Sequence, residues 1–358
     1  MSGESCENGQ QRARRVALDV QPVVRQKAEH LGTRGTEWLA HLPELVSDLE
    51  RQWSITVGQP LSGGTAAYVC RAVTRAGDDA VLKLSLPDGG FQDAVRLLAA
   101  ANGNGYVRLL AHDTERYALF QEALGAPLDT LDLTPEQQMR VLGQTLRQAW
   151  QVPRWDDATV EPGTEKASQL GELVPFAGKH SAESAGVTQA PNTTLNVRRN
   201  FRRAVLVERL WESLDRPCSE RVRDQAMAYA TSRAAAFDIE RCVVAHGDPH
   251  PGNALRIPTP PAGAESGFVF VDPDGFLADP AYDLGVVLRD WSPQLLAGDM
   301  PALARGYCRL LATETGVDET AIWEWGFLER VSSGLYTMQF AGPDLYRPFL
   351  ETAERLCR

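Results

Sequence analysis

Ala245-His246-Gly247-Asp248-Pro249-His250-Pro251-Gly252-Asn253-Ala254-Leu255 is the densest run of polar and turn-forming residues in the chain. The apolar stretch Cys242-Val243-Val244-Ala245 leads into it, and a second, Phe268-Val269-Phe270-Val271, ends at Asp272-Pro273-Asp274. Short apolar runs bounded by turn residues read as buried strands. The polar cluster is therefore a loop on a rigid scaffold, the setting in which catalytic groups are often found. A carboxylate directly after a strand, as Asp272 is, can point out of the sheet into a cleft. Asp248, Asn253 and Asp272 are polar groups flanked by apolar strands, and burying them without partners would be costly.

Upstream the periodicity changes twice. Val23, Val24, Ala28, Leu31, then Trp38, Leu39, Leu42, Leu45, Val46 and Leu49 recur at helical spacing and predict one or two amphipathic helices. From Trp53 the pattern is that of strands: 55–57, 67–73, 80–84, 107–110 and 117–121, with Gly77-Asp78-Asp79 as a hairpin turn. A Leu- and Ala-rich helix, 91–101, interrupts them and ends at Asn102-Gly103-Asn104-Gly105. Beyond Gly125 the chain reads as helical. Thr134-Pro135-Glu136 starts a helix with proline at its first position. Further helices are expected at 201–213, 219–237 and through 281–358, and a loop-rich insertion at 151–200. The fold class read here is α+β: a small antiparallel β lobe with one helix, then a large, mainly helical C-terminal lobe. The expected organisation is a tail at 1–15, an N-terminal lobe at 16–122, a hinge at 123–126 and a C-terminal lobe at 127–358.

Composition narrows the function classes. The chain has 358 residues, enough for two domains or two lobes, with 43% hydrophobic and 23% charged residues. These are values of a folded globular protein, and no apolar run is long enough for a membrane helix. With 36 basic and 47 acidic residues the net charge is -11, which disfavours nucleic acid and anionic lipid as partners. Cys6, Cys70, Cys218, Cys242, Cys308 and Cys357 are widely spaced, without the pairs that make zinc knuckles or disulfide frameworks. Reduced thiols and the absence of a signal-peptide pattern make the cytoplasm the expected location; a monomer is the expected state, though no sequence feature fixes it.

Phosphoryl transfer from ATP needs a carboxylate beside the attacking hydroxyl and oxygen ligands for Mg²⁺. It also needs a lysine on the phosphates and a turn of backbone N–H groups over them. Asp248, Asn253, Asp272, Lys83 and the turn Ser62-Gly63-Gly64-Thr65 match that set in type and in chain order. The motif His246-Gly247-Asp248 … Asn253 … Asp272, with Lys83 upstream, resembles the aminoglycoside phosphotransferase family, relatives of the protein kinases. Residues 150–170 (WQVPRWDDATVEPGTEKASQL), 210–238 (LWESLDRPCSERVRDQAMAYATSRAAAFD) and 246–255 (HGDPHPGNAL) resemble its streptomycin 6-kinase and hydroxyurea phosphotransferase branch.

The resemblance implies a two-lobed protein-kinase-like fold and assigns roles. Asp248 becomes the general base, Asn253 and Asp272 the Mg²⁺ ligands, and Lys83 the phosphate-contacting lysine. Gln121 (carbonyl) and Ala123 (N–H) would read the adenine edge, with Phe120 behind it. Asp283 in Tyr282-Asp283-Leu284-Gly285 would brace the loop. Three departures stand out: the phosphate turn lacks the GxGxxG of protein kinases, Asp93 is the nearest acid on the helix where the family has a glutamate to pair with the lysine, and Asp274 is an extra acid. The implied activity is ATP- and Mg²⁺-dependent phosphorylation of a hydroxyl on a small antibiotic, of streptomycin type or, alternatively, hydroxyurea. Asp156, Asp157, Glu165, Asp274 and His250 are the acceptor-binding candidates. Two other readings are a nucleotide-binding pseudokinase and a zinc hydrolase built on His246-x-Asp248-x-His250.

Overall fold

The structure is a computed structural model that describes residues 18–62, 64–87, 89–155, 203–259 and 266–357. Gly63, Asp156, Asp157, Glu165, the tail at 1–15 and nearly all of the 151–200 insertion lie outside the described residues. The chain forms two compact units, Met1–Val95 with Arg108–Ala123, and Arg96–Val107 with Leu124–Arg358.

In the first unit, α1 (Pro22–His30) and α2 (Thr33–Trp53) precede a five-stranded antiparallel sheet. Its strands are β1 (Ile55–Pro60), β2 (Ala67–Thr74), β3 (Asp79–Ser85), β4 (Leu109–Asp113) and β5 (Ala118–Glu122), in the order β1-β2-β3-β5-β4. Alternation assigns the sheet faces. Ala80, Leu82 and Leu84 of β3 and Ala118 and Phe120 of β5 turn to one side, where they pack with Leu42, Val46 and Leu49 of α2. Trp53 at the end of α2 stacks on Phe120 with ring centroids 5.8 Å apart. Lys83, opposite Leu119, belongs to the other face.

The strand expected at 107–110 begins at Leu109 instead, because the backbone before it is committed elsewhere. Val107 N–H donates to the Phe270 carbonyl at 2.8 Å and Phe270 N–H to the Gly105 carbonyl at 3.0 Å. Those residues belong to the second unit. The helix α3 (Phe91–Ala101) lies where the sequence pattern puts it.

The second unit is mainly helical: α4 (Pro135–Ala149), α5 (203–213), α6 (Glu220–Ala235), α7 (Pro280–Arg289), α8 (Ser292–Ala297), α9 (Met300–Thr315), α10 (Glu319–Met338) and α11 (Pro343–Leu356). α10 is its spine, with buried side chains from Ala321 to Leu335 and packing against α6, α7 and α11. Four three-residue strands lie among the helices: β6 (Val243–Ala245), β7 (Ala254–Arg256), β8 (Phe268–Phe270) and β9 (Phe276–Ala278). They pair in a nested order, β7 with β8 inside β6 with β9. The loop from β6 to β7 and the loop from β8 to β9 are thereby laid side by side. The expected α+β class holds.

Candidate active site

The nested strand pairs bring Asp248, Asn253 and Asp272 onto two adjoining loops, and hydrogen bonds lock the loops together. Val271 N–H donates to the Asn253 carbonyl at 2.9 Å, and Asp274 N–H to the His246 carbonyl at 2.7 Å. His246 is wholly buried between Tyr106 and Phe270. Its Nε2 donates to the Val271 carbonyl at 2.9 Å and its Nδ1 accepts the Asp248 N–H at 3.1 Å, which assigns the neutral tautomer. Burial pushes its pKa down to about 4. With both ring nitrogens engaged, His246 is not a zinc ligand, and the zinc-hydrolase reading loses its first donor.

Asp283, on the buried side of α7, holds the start of the loop. Its carboxylate accepts N–H groups of His246 and Gly247 and the indole N–H of Trp150, each at 2.9 Å. Burial raises its pKa to about 6 against those three donors. Gly247 has φ +94°, and a Cβ there would lie 2.5 Å from Oδ2 of Asp274. Only glycine lets the chain pass between Asp283 and Asp274 in this conformation.

The side chain of Asp248 is 44% exposed. Its Oδ1 takes a hydrogen bond from Nη2 of Arg289 at 2.5 Å, and its Oδ2 lies 3.8 Å from Nε2 of His250. Burial would raise the carboxyl pKa. The positive charge of Arg289, followed by His250, outweighs that and holds it below the usual range. Nδ2 of Asn253 donates to the Asp248 carbonyl at 3.0 Å, so the amide's other end, Oδ1, is its acceptor end. Asp272 has φ +59°, a left-handed conformation that is strained for a residue with a side chain. His250 accepts Gly252 N–H on Nδ1 at 3.1 Å, leaving Nε2 toward Asp248. Asp274 is exposed beside Gly247. Sequence reasoning missed Arg289 entirely; its only trace was a lone cation ending the apolar run Leu284-Gly285-Val286-Val287-Leu288.

In the first unit, Ser62, Gly64 and Thr65 form the bend between β1 and β2, and Thr65 Oγ1 accepts a hydrogen bond from Lys27 Nζ at 3.3 Å. The adenine assignment needs correction at Phe120. Alternation puts Phe120 on the face that packs against α2, whereas Gln121 shares the face of Lys83. The placement of Phe120 behind the base is one residue out of phase. Gln121 is 4% exposed, and its Nε2 has no hydrogen-bond partner among the described residues. Ser85 N–H donates to the Tyr117 carbonyl at 2.9 Å, so by alternation the facing pair Val81 and Gln121 is also a hydrogen-bonded pair. The Gln121 carbonyl thus turns toward Val81. Ala123 is the last residue of the unit, and Asp93 stands in the first turn of α3.

The family model described as "Phosphotransferase enzyme family" matches residues 57–321. A streptomycin 6-kinase of Streptomyces glaucescens is 26% identical over 321 residues, 89% of this chain and 90% of that protein. A hydroxyurea phosphotransferase of Kitasatospora aureofaciens is 33% identical over 104 residues, 29% of this chain and 31% of that protein. Among solved structures, a Plasmodium vivax ethanolamine kinase superposes with a TM-score of 0.51 at 12% identity, covering 93% of this chain and 94% of its own, which is a likeness of fold. With the family model matching most of the chain, this chain belongs to the phosphotransferase enzyme family.

Proposed function

We propose that the protein transfers the γ-phosphoryl group of ATP to a hydroxyl of a small, polar, cationic antibiotic, with streptomycin as the leading acceptor. One observation carries the reading: Asp248, Asn253 and Asp272, the oxygen donors that phosphoryl transfer needs, stand on two adjoining loops cross-braced by backbone hydrogen bonds.

The donor set suits Mg²⁺. The amide nitrogen of Asn253 is spent on the Asp248 carbonyl, which leaves an oxygen for the cation, and Asp272 is an exposed carboxylate. When bound, Mg²⁺ would neutralise charge on the phosphate oxygens. In the first unit, Lys83 and the bend at Ser62, Gly64 and Thr65 would hold the triphosphate, and Gln121 and Ala123 would border the base. In the second unit, Asp248 accepts the hydrogen bond of the acceptor hydroxyl. As the hydroxyl oxygen bonds to the γ-phosphorus, the bond from that phosphorus to the β,γ-bridging oxygen breaks, ADP leaves, and the hydroxyl proton passes to Asp248. Catalysis of this kind rests on positioning and on charge complementarity.

Streptomycin carries cationic guanidinium groups, and the net charge of -11 suits a cationic acceptor at long range. His250 and Asp274 flank Asp248 and would line the acceptor side. The partial likeness to a hydroxyurea phosphotransferase makes hydroxyurea the second acceptor to screen.

The test is an ATP-consumption screen with streptomycin, other aminoglycosides and hydroxyurea, with mass detection of an added phosphate. Streptomycin should gain one phosphate with the wild type and none with Asp248→Asn. Turnover by Asp248→Asn near the wild-type rate would refute the base assignment.

A further inference from the structure

The charged groups behind Asp248 form a continuous, partly buried chain within the second unit. Arg203 Nη2 donates to the Tyr282 hydroxyl at 3.0 Å, and Arg203 Nε pairs with Glu329 Oε1 at 2.8 Å. Glu329 Oε2 lies 3.3 Å from Nη1 of Arg289, which also reaches Ser333 Oγ at 3.3 Å. Arg289 Nε meets Asp290 at 3.0 Å, and the remaining nitrogen, Nη2, meets Oδ1 of Asp248 at 2.5 Å. The Arg289 side chain is 13% exposed and that of Glu329 0%.

Each contact removes a freedom. A guanidinium is a planar fork, and once Nε and Nη1 are seated the direction of Nη2 is set. The carboxylate torsion of an aspartate is broad, so an unassisted Asp248 would sample many planes. Arg289 occupies Oδ1 and leaves Oδ2 as the oxygen on the half-exposed side, toward His250. The same helix works twice. Asp283 of α7 holds the backbone of His246 and Gly247, and Arg289, at the end of that helix, holds the side chain of Asp248. Stability alone does not account for the arrangement, because a buried ion network contributes little net stability over an apolar replacement.

We infer that Arg289 is a positioning residue for phosphoryl transfer: by gripping Oδ1 of Asp248 it presents Oδ2 alone to the acceptor hydroxyl. The inference rests on Asp248 being the base in the function proposed above. Arg289 touches neither substrate in this scheme and acts through Asp248. Lysine could keep the charge but not the fork, so charge and orientation are separable by substitution.

The experiment uses the full chain with ATP, Mg²⁺ and streptomycin as probe acceptor, comparing wild type, Asp248→Asn, Arg289→Lys and Arg289→Ala. Arg289→Lys, which keeps a cation among Glu329, Asp290 and Asp248, is the variant chosen to fold. Its kcat should fall ~10- to 100-fold while KM for ATP moves less than about twofold. Arg289→Ala should lose at least as much, and guanidinium ion at non-denaturing concentration should restore part of its kcat but none of that of Asp248→Asn. Arg289→Lys at wild-type kcat, a loss confined to KM, or a rise in kcat, which would make the pair a latch, overturns the inference. If Asp248→Asn is dead while Arg289→Lys is fully active, this inference fails and the proposed function stands. If Asp248→Asn is fully active, the proposed function itself fails.

Discussion

His246 never meets a substrate in this scheme, yet it sets the geometry of the loop. Its two nitrogens join the backbone of Asp248 to the neighbouring loop at Val271, and only the neutral ring can do both. Protonating Nδ1 would aim a proton at the Asp248 N–H. The folded pKa, about 4, lies below the unfolded value of 6.5. Between these values the unfolded chain binds a proton that the folded chain does not. The contribution of His246 is therefore complete above pH 6.5 and is lost as pH falls toward 4, by up to about 3 kcal/mol. Asp283, raised to about 6, works with the opposite sign, since its folded form binds the extra proton. The clean measurement is thus a difference. The stability gap between wild type and His246→Asn, from urea unfolding, should shrink as pH falls from 7 to 4; a constant gap would contradict the assignment. Trp150→Phe removes one of three donors from the buried Asp283 and should lower stability by ~1–3 kcal/mol, read from the urea midpoint. Gly247→Ala needs both a positive φ and space that Asp274 occupies, so it should abolish turnover with normal far-UV circular dichroism.

At the scale of elements, helix termini and short strands divide the labour. α4 starts at a reciprocal cap: Gln137 N–H donates to Thr134 Oγ1 at 3.3 Å, and Thr134 N–H to Gln137 Oε1 at 2.8 Å. Thr134→Ala should cost about 1 kcal/mol of stability, read from the urea midpoint. The strands β6 to β9 are too short to be stable alone. They persist because buried α7 packs on β6 and because the loop after β8 hydrogen-bonds the loop after β6. Phe120 belongs to this scale too. A one-residue change of phase moves a side chain to the opposite sheet face. Its aromatic ring is therefore core, stacked on Trp53, and Gln121 takes the face of Lys83.

For the whole molecule, the observable is ligand linkage. ATP with Mg²⁺ should raise the melting temperature, with about 2.7 kcal/mol of added stability at a hundredfold excess over Kd. Chelating the metal should remove that gain, and Asp272→Asn should remove its metal dependence. A metal-independent shift in the wild type would exclude Asn253 and Asp272 as ligands. Among the described residues no helix is long and apolar enough to cross a membrane. Read by itself, the sequence determined the class of fold, the helices of both units and most strands of the sheet, because hydrophobic periodicity and capping are local properties. It also marked Lys83, Asp248, Asn253 and Asp272 as candidates, because their spacing and order are a chemical pattern. Tertiary structure alone decided the nested pairing of β6 to β9, the indole of Trp150 as a partner of Asp283, and the seating of Arg289 between Asp248 and Glu329. Those partners lie far apart in the chain, and a buried charge is tolerated only where folding supplies its opposite, which no local window of sequence can display.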